Sequence, residues 1–165
     1  MVGKKKAICS SCGECKPLEE FPVVRKPQRN EYRRVSCKDC LTAKRNDAIN
    51  ADILRYLRKK VRRIKSLCRE KGYAFKVTAE QILKVYNDQN GCCFYTDTQM
   101  IFLVGDGQLD DTISVDRIRP DRGYVMSNIV LCARRANSIK SNMTLAEMKQ
   151  WMPGWYERLK RAGKA

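Results

Sequence analysis

A small α+β fold, mostly helical, is predicted for these 165 residues by three features of the sequence. Two Cys-x-x-Cys pairs stand near the N-terminus, in a segment with few apolar residues. A run from Asn46 to Lys71 repeats apolar residues at helical spacing. Ile113 to Ile118, Asn128 to Leu131 and Cys132 to Lys140 read as strand, strand and helix. The expected organisation is a cysteine module over 1–45, a basic linker helix over 46–72 and a compact domain over 73–165.

The cysteine module comes first. Cys9-x-x-Cys12 and Cys37-x-x-Cys40 are two knuckles separated by residues 13–36. Four thiolates so arranged can close a tetrahedron at about 2.3 Å from a Zn²⁺ ion. The segment is too poor in apolar residues to fold unaided, so a zinc-ribbon or zinc-knuckle module held by structural zinc is expected, ahead of free thiols or disulfides. Cys15 is a fifth nearby cysteine that competes with Cys12, and Cys12 is preferred as the tighter knuckle.

In the helix that follows, Leu54, Leu57, Val61, Ile64 and Cys68 share one stripe. The other faces carry Arg55, Arg58, Lys59, Lys60, Arg62, Arg63, Lys65 and Arg69, and Gly72 stops the helix. Thr78-x-x-Gln81 reads as a capping box that opens a second helix, ended by Asn90-Gly91. Cys92 to Thr96 is short and β-prone, and Gly105 to Asp111 reads as a loop. Pro120 and Gly123 mark a turn between the two predicted strands. Thr144-x-x-Glu147 opens another helix, which Pro153 ends or kinks, and a basic helical tail runs from Trp155 to Lys164. Cys68, Cys92, Cys93 and Cys132 lack an x-x-Cys partner and read as buried apolar thiols.

Charge narrows the function. Lys and Arg number 34 against 18 Asp and Glu, a net charge of +16. Such an excess points to a polyanionic partner bound through phosphate contacts and counterion release. A basic helix of nearly one sign, with Arg119, Arg122, Arg134, Arg135 and Lys140 downstream, forms the candidate nucleic-acid surface. Tyr32, Tyr124 and Trp155 are candidates for stacking on bases or for packing, and Trp151 is read as a packing residue. No apolar stretch reaches membrane-spanning length, and the lysines near the N-terminus precede cysteines instead of a signal core, so an intracellular protein without a membrane partner is expected.

The segment Ser114-Val115-Asp116-Arg117-Ile118, Gly123-Tyr124, Asn128 and Asn137 resembles the HNH (ββα-metal, His-Me finger) endonuclease pattern of phage-type proteins. The resemblance covers about Phe75 to Trp151, and the cysteine string resembles a zinc module found ahead of such nucleases. It implies a ββα-metal core that hydrolyses DNA phosphodiesters with Mg²⁺ or another divalent ion, nicking or cutting the duplex, with homing-type activity as one analogue. Asp116 and Asn137 would hold the ion, and Asn128 would tie the connecting loop. A phage-encoded protein of this kind works in the host cytoplasm. The departure is Arg117, which stands where the family has its general-base histidine; the whole chain contains none.

Arginine stays protonated and cannot take a proton from water. Three explanations stand. Another group, among them Asp110, Asp111 or Asp121, or a metal-bound hydroxide activates the water while Arg117 stabilises phosphoryl charge. Alternatively, the domain binds nucleic acid as a catalytically lapsed assembly or binding protein. Or Arg117 faces away because the strand register differs. A basic, zinc-stabilised RNA-binding protein fits the charge but not the ordered Asp-Asn-Asn frame.

Overall fold

The computed structural model describes residues 5–26, 29–105, 107 and 109–165, without the side chains of 24–26 and 29–33. Among these, six α-helices and three two-stranded antiparallel sheets divide into two compact units, Met1–Ala48 and Ile49–Ala165.

In the first unit, β1 (Lys6–Ile8) pairs with β2 (Cys15–Pro17), Ile8 opposite Cys15. The chain reverses between them at Gly13, whose φ of +74° suits a residue without Cβ. β3 (Val23–Lys26) and β4 (Arg29–Arg33) form a second hairpin. Helix α1 (Lys38–Asn50) begins immediately after Cys37. Among the described residues, the unit's buried apolar cluster is Cys9, Phe21 and Cys37, with Ala7 and Cys40 against it. Burial of these three side chains alone cannot offset the entropy of ordering the unit.

The predicted helix from Asn46 to Lys71 is in fact two. α1 closes at Asn50, and Asp52 caps α2 (Ile53–Lys71) by accepting from the amides of Leu54 (2.8 Å) and Arg55 (3.3 Å). The sequence carries a signal for this, since Asp is a strong N-cap residue. Gly72 ends α2 in the left-handed region, φ 73°. On the predicted stripe, Leu57 and Cys68 are buried and Leu54, Val61 and Ile64 partly so, with Tyr56 buried beside them. The helix is thus a wall of the second unit's core.

α3 (Ala79–Asp88) opens with the predicted Thr78/Gln81 capping box. The β-prone Cys92 to Thr96 is mostly turn. Only Cys92 bridges, to Gln99, and the chain reverses so that Cys93 and Tyr95 enter the core. Past α3, the Gln89 side chain donates to Leu131 O at 2.8 Å and accepts from Leu131 N at 3.0 Å.

β5 (Ile113–Arg117) and β6 (Ile129–Ala133) pair antiparallel, with Asp116 opposite Val130 and Arg117 opposite Ile129. α4 (Arg134–Lys140) follows β6 directly. β6 is buried throughout, as a strand flanked on both faces must be. The predicted Thr144/Glu147 box opens α5 (Leu145–Trp151). Pro153 is the first residue of α6 (Pro153–Arg161), where a missing N–H costs nothing. Among the described residues, no helix is long and apolar enough to cross a membrane.

Candidate functional site

Cys9, Cys12, Cys37 and Cys40 bring their sulfurs within 4.8 Å of one another, a group that could hold a metal ion such as zinc. The β1–β2 turn presents the first pair, and the start of α1 presents the second. Cys15 stands outside the group, exposed on β2. Cys9 Sγ accepts from the amides of Cys37 (3.3 Å) and Ser11 (3.4 Å). Backbone amides, that of Cys37 first, bring the Cys9 thiol down to about 6, which favours the thiolate a metal needs. Among the described residues no second such cluster occurs, and Cys68, Cys93 and Cys132 are buried thiols.

In the second unit, β5 and α4 bring Asp116 and Asn137 to one cavity, which Asn128, in the turn before β6, does not line. Asp116 is buried and accepts from Tyr95 Oη at 2.7 Å and from Lys140 Nζ at 3.1 Å. Lys140, with no exposed surface, also donates to Arg117 O at 2.7 Å. Burial pushes the Asp116 carboxyl up, and Lys140 and Tyr95 pull it back. Burial beside that carboxylate raises the Tyr95 hydroxyl strongly, so it stays a donor. Tyr95 is itself held by Trp155, stacked at 4.6 Å.

Asn128, also buried, accepts from Arg119 N (3.0 Å) and donates to Arg119 O and Gly123 O (both 3.1 Å). One side chain thereby laces the loop between the strands. Gly123 has its own reason: a Cβ there would lie 2.2 Å from Ala74 O. The close approach lets Tyr124 N donate to Ala74 O at 2.8 Å.

Arg117 is clamped on aromatic faces. Its guanidinium carbon lies 4.2 Å from the Tyr73 ring centroid and 5.3 Å from that of Tyr124. Its Nη1 is buried without a hydrogen-bond partner. Asn137 Nδ2 donates to Ser114 Oγ at 2.9 Å. Asp116, Arg117, Tyr124, Asn137, Ser138 and Ser141 contribute to one polar cavity of about 240 Å³. Ser141 holds a φ of 48° there, a conformation costly for a residue with a Cβ.

The donor set does not fit a divalent cation. Each Asp116 oxygen already accepts a hydrogen bond, and its one negative charge is balanced by a buried ammonium. A dication added to this pair would leave two positive charges uncompensated in a site shielded from water. Of the candidate bases, Asp110 is paired with Arg134, and neither Asp111 nor Asp121 lines the cavity.

The surface expectation needs three corrections. Lys140, expected among the phosphate-contacting residues, is enclosed and turned to Asp116 and Arg117 O. Lys60 is half-buried over the Tyr56 ring, its amine lowered to about 8 by burial. Trp151, expected to pack, is 67% exposed. Lys59, Arg62, Arg63, Lys65 and Arg69 remain exposed along α2, while Arg58 pairs with Glu80 and Arg55 with Asp52. Arg122 and Arg135 are exposed, and Arg119 and Arg134 half-buried. Tyr124 and Trp155 are half-buried against protein groups, and the Tyr32 side chain lies outside the described residues. Tyr95 and Tyr73, which hold Asp116 and Arg117, carry no motif signature. No protein-family model and no curated protein matches the chain.

Proposed function

We propose that this chain is a nucleic-acid-binding protein on an HNH-like ββα core, with duplex DNA as its partner and a structural zinc ion in the N-terminal module. The observation that carries this reading is the buried Lys140–Asp116 pair beside Arg117. The three side chains sum to one positive charge, which suits a phosphodiester and opposes a catalytic Mg²⁺ ion. The exposed basic residues of α2 and the chain's charge of +16 supply backbone contacts without sequence selection.

A metal-dependent HNH-type endonuclease is the second reading. It is favoured by Asp116 and Asn137 lining one cavity, as two ligands of one ion would. It requires Lys140 to leave Asp116 and a water-activating group other than histidine.

Supercoiled plasmid incubated with the purified protein and Mg²⁺ or Mn²⁺, beside Asp116→Ala and Arg117→Ala, separates the two. Binding of labelled duplex DNA and of RNA is followed in parallel. Binding without cleavage is the expected result. Nicking that Asp116→Ala abolishes would establish the endonuclease, and RNA preferred over DNA would overturn the choice of partner.

A further inference from the structure

The Lys140 ammonium is more than a neutralising neighbour. It is held by a carboxylate oxygen of Asp116 at 3.1 Å and a carbonyl oxygen of Arg117 at 2.7 Å. These are the hard oxygen donors that a small divalent cation takes. Lys140 follows Asn137 by one helical turn on α4, so both side chains leave the same face of the helix. The ammonium is fully enclosed, cannot exchange with solvent ions, and is delivered by the element that would carry the second metal ligand.

We infer that Lys140 is a tethered cation standing in the place of a divalent ion, and that the cavity beside it takes a phosphate oxyanion without metal. Asn137 and Ser141 line the cavity as hydrogen-bond donors, the Ser138 hydroxyl being committed to Arg134 O, and Arg117, also in its lining, carries a buried nitrogen with no hydrogen-bond partner. A buried guanidinium nitrogen left unpaired is costly, and an anionic oxygen is the ligand that relieves it best. The phosphate would be that of a nucleic-acid backbone, a step that rests on the nucleic-acid reading above; the tethered cation does not.

The test uses the full zinc-loaded chain, isotope-labelled for NMR. Mn²⁺ added to millimolar concentration should leave the Asp116 and Asn137 signals sharp, because no divalent ion enters. Inorganic phosphate, with no metal added beyond the bound zinc, should shift the Asn137 and Ser141 signals. Lys140→Met removes the ammonium and keeps an unbranched chain, and its Asn137 signals should then broaden with Mn²⁺. If that variant fails to fold, the wild-type titrations decide alone. Selective broadening at Asn137 in the wild type would overturn the tethered cation, and no phosphate shift would overturn the anion site. Phosphate shifts without any binding of duplex DNA or RNA would sink the nucleic-acid reading and leave this one standing.

Discussion

Lys140 Nζ lies 3.1 Å from Asp116 Oδ1, and each side chain is almost wholly removed from water. Such a pair contributes little net stability when intact, but breaking it is expensive. Asp116→Ala should therefore destabilise the second unit by about 3–5 kcal/mol, because the ammonium would remain buried alone. Asp116→Ala combined with Lys140→Met should cost clearly less than the sum of the two single changes. Urea unfolding of the four proteins in a double-mutant cycle checks this, and additive losses would mean the two groups do not act as a pair.

Lys60 gives a pH signature. Burial lowers its amine to about 8 from 10.5, so below pH 8 both folded and unfolded chains carry the proton and the folded one bears the cost of burying it. Between pH 8 and 10.5 the unfolded chain binds more protons at this group, so its effect on stability rises with pH. Lys60→Met should accordingly be more stable than wild type at pH 7. That advantage should shrink as pH rises above 8, in thermal unfolding at matched ionic strength.

The loop between β5 and β6 depends on Asn128 and Gly123. Asn128→Ala removes three hydrogen bonds and leaves the Arg119 and Gly123 backbone groups without their partner. A loss of about 1–3 kcal/mol is expected for each buried group left unsatisfied. Gly123→Ala forces a Cβ against Ala74 O and should cost about 1–3 kcal/mol as overpacking. Amide exchange should quicken at Tyr124 and Lys76 in both variants, since these amides bridge the loop to the 74–76 segment. Unchanged protection there would count against the tie.

The cysteine group predicts that the first unit depends on metal. Chelation of the full chain, or Cys9→Ser, should abolish dispersed NMR signals from residues 5–48 while those of 49–165 persist. Among the described residues, the first unit's buried apolar cluster has three members, whereas the second's has nineteen. Loss of both sets of signals together would show that the second unit requires the first.

DNA binding by α2 predicts salt dependence. Arg62, Arg63 and Lys65 are exposed on it. Their joint replacement by alanine should weaken binding uniformly across sequences and flatten the logarithmic salt slope by roughly one for each phosphate no longer neutralised. An unchanged slope would place the binding surface elsewhere.

Much of this architecture is legible in the sequence because its signals are local. Both capping boxes, the Gly72 stop and the β5–β6–α4 succession come from neighbouring residues. The preference for Cys12 over Cys15 follows from spacing alone. Other features depend on contacts between residues distant in sequence. Nothing near Lys140 shows that it reaches Asp116, 24 positions earlier, instead of solvent. Tyr95 and Tyr73 reach the site from a turn and from a helix end, positions where aromatic residues ordinarily pack. The break before Asp52 is hidden for another reason: the basic residues and the apolar stripe continue in helical period up to it, and only the capping side chain marks the boundary.

Gln89 has a consequence for association. A two-stranded sheet leaves two outer edges, and β6 would offer one of them to any strand that approached. At Leu131 the Gln89 amide engages both the N–H and the C=O of that edge, as a peptide group would. The Phe94 amide donates to the same carbonyl at 3.0 Å, so side chain and turn together stand in for a third strand at that point. Shortening Gln89 to alanine would leave the Leu131 N–H of this apolar strand unpaired, a first opening for edge-to-edge association, while Phe94 still held the carbonyl.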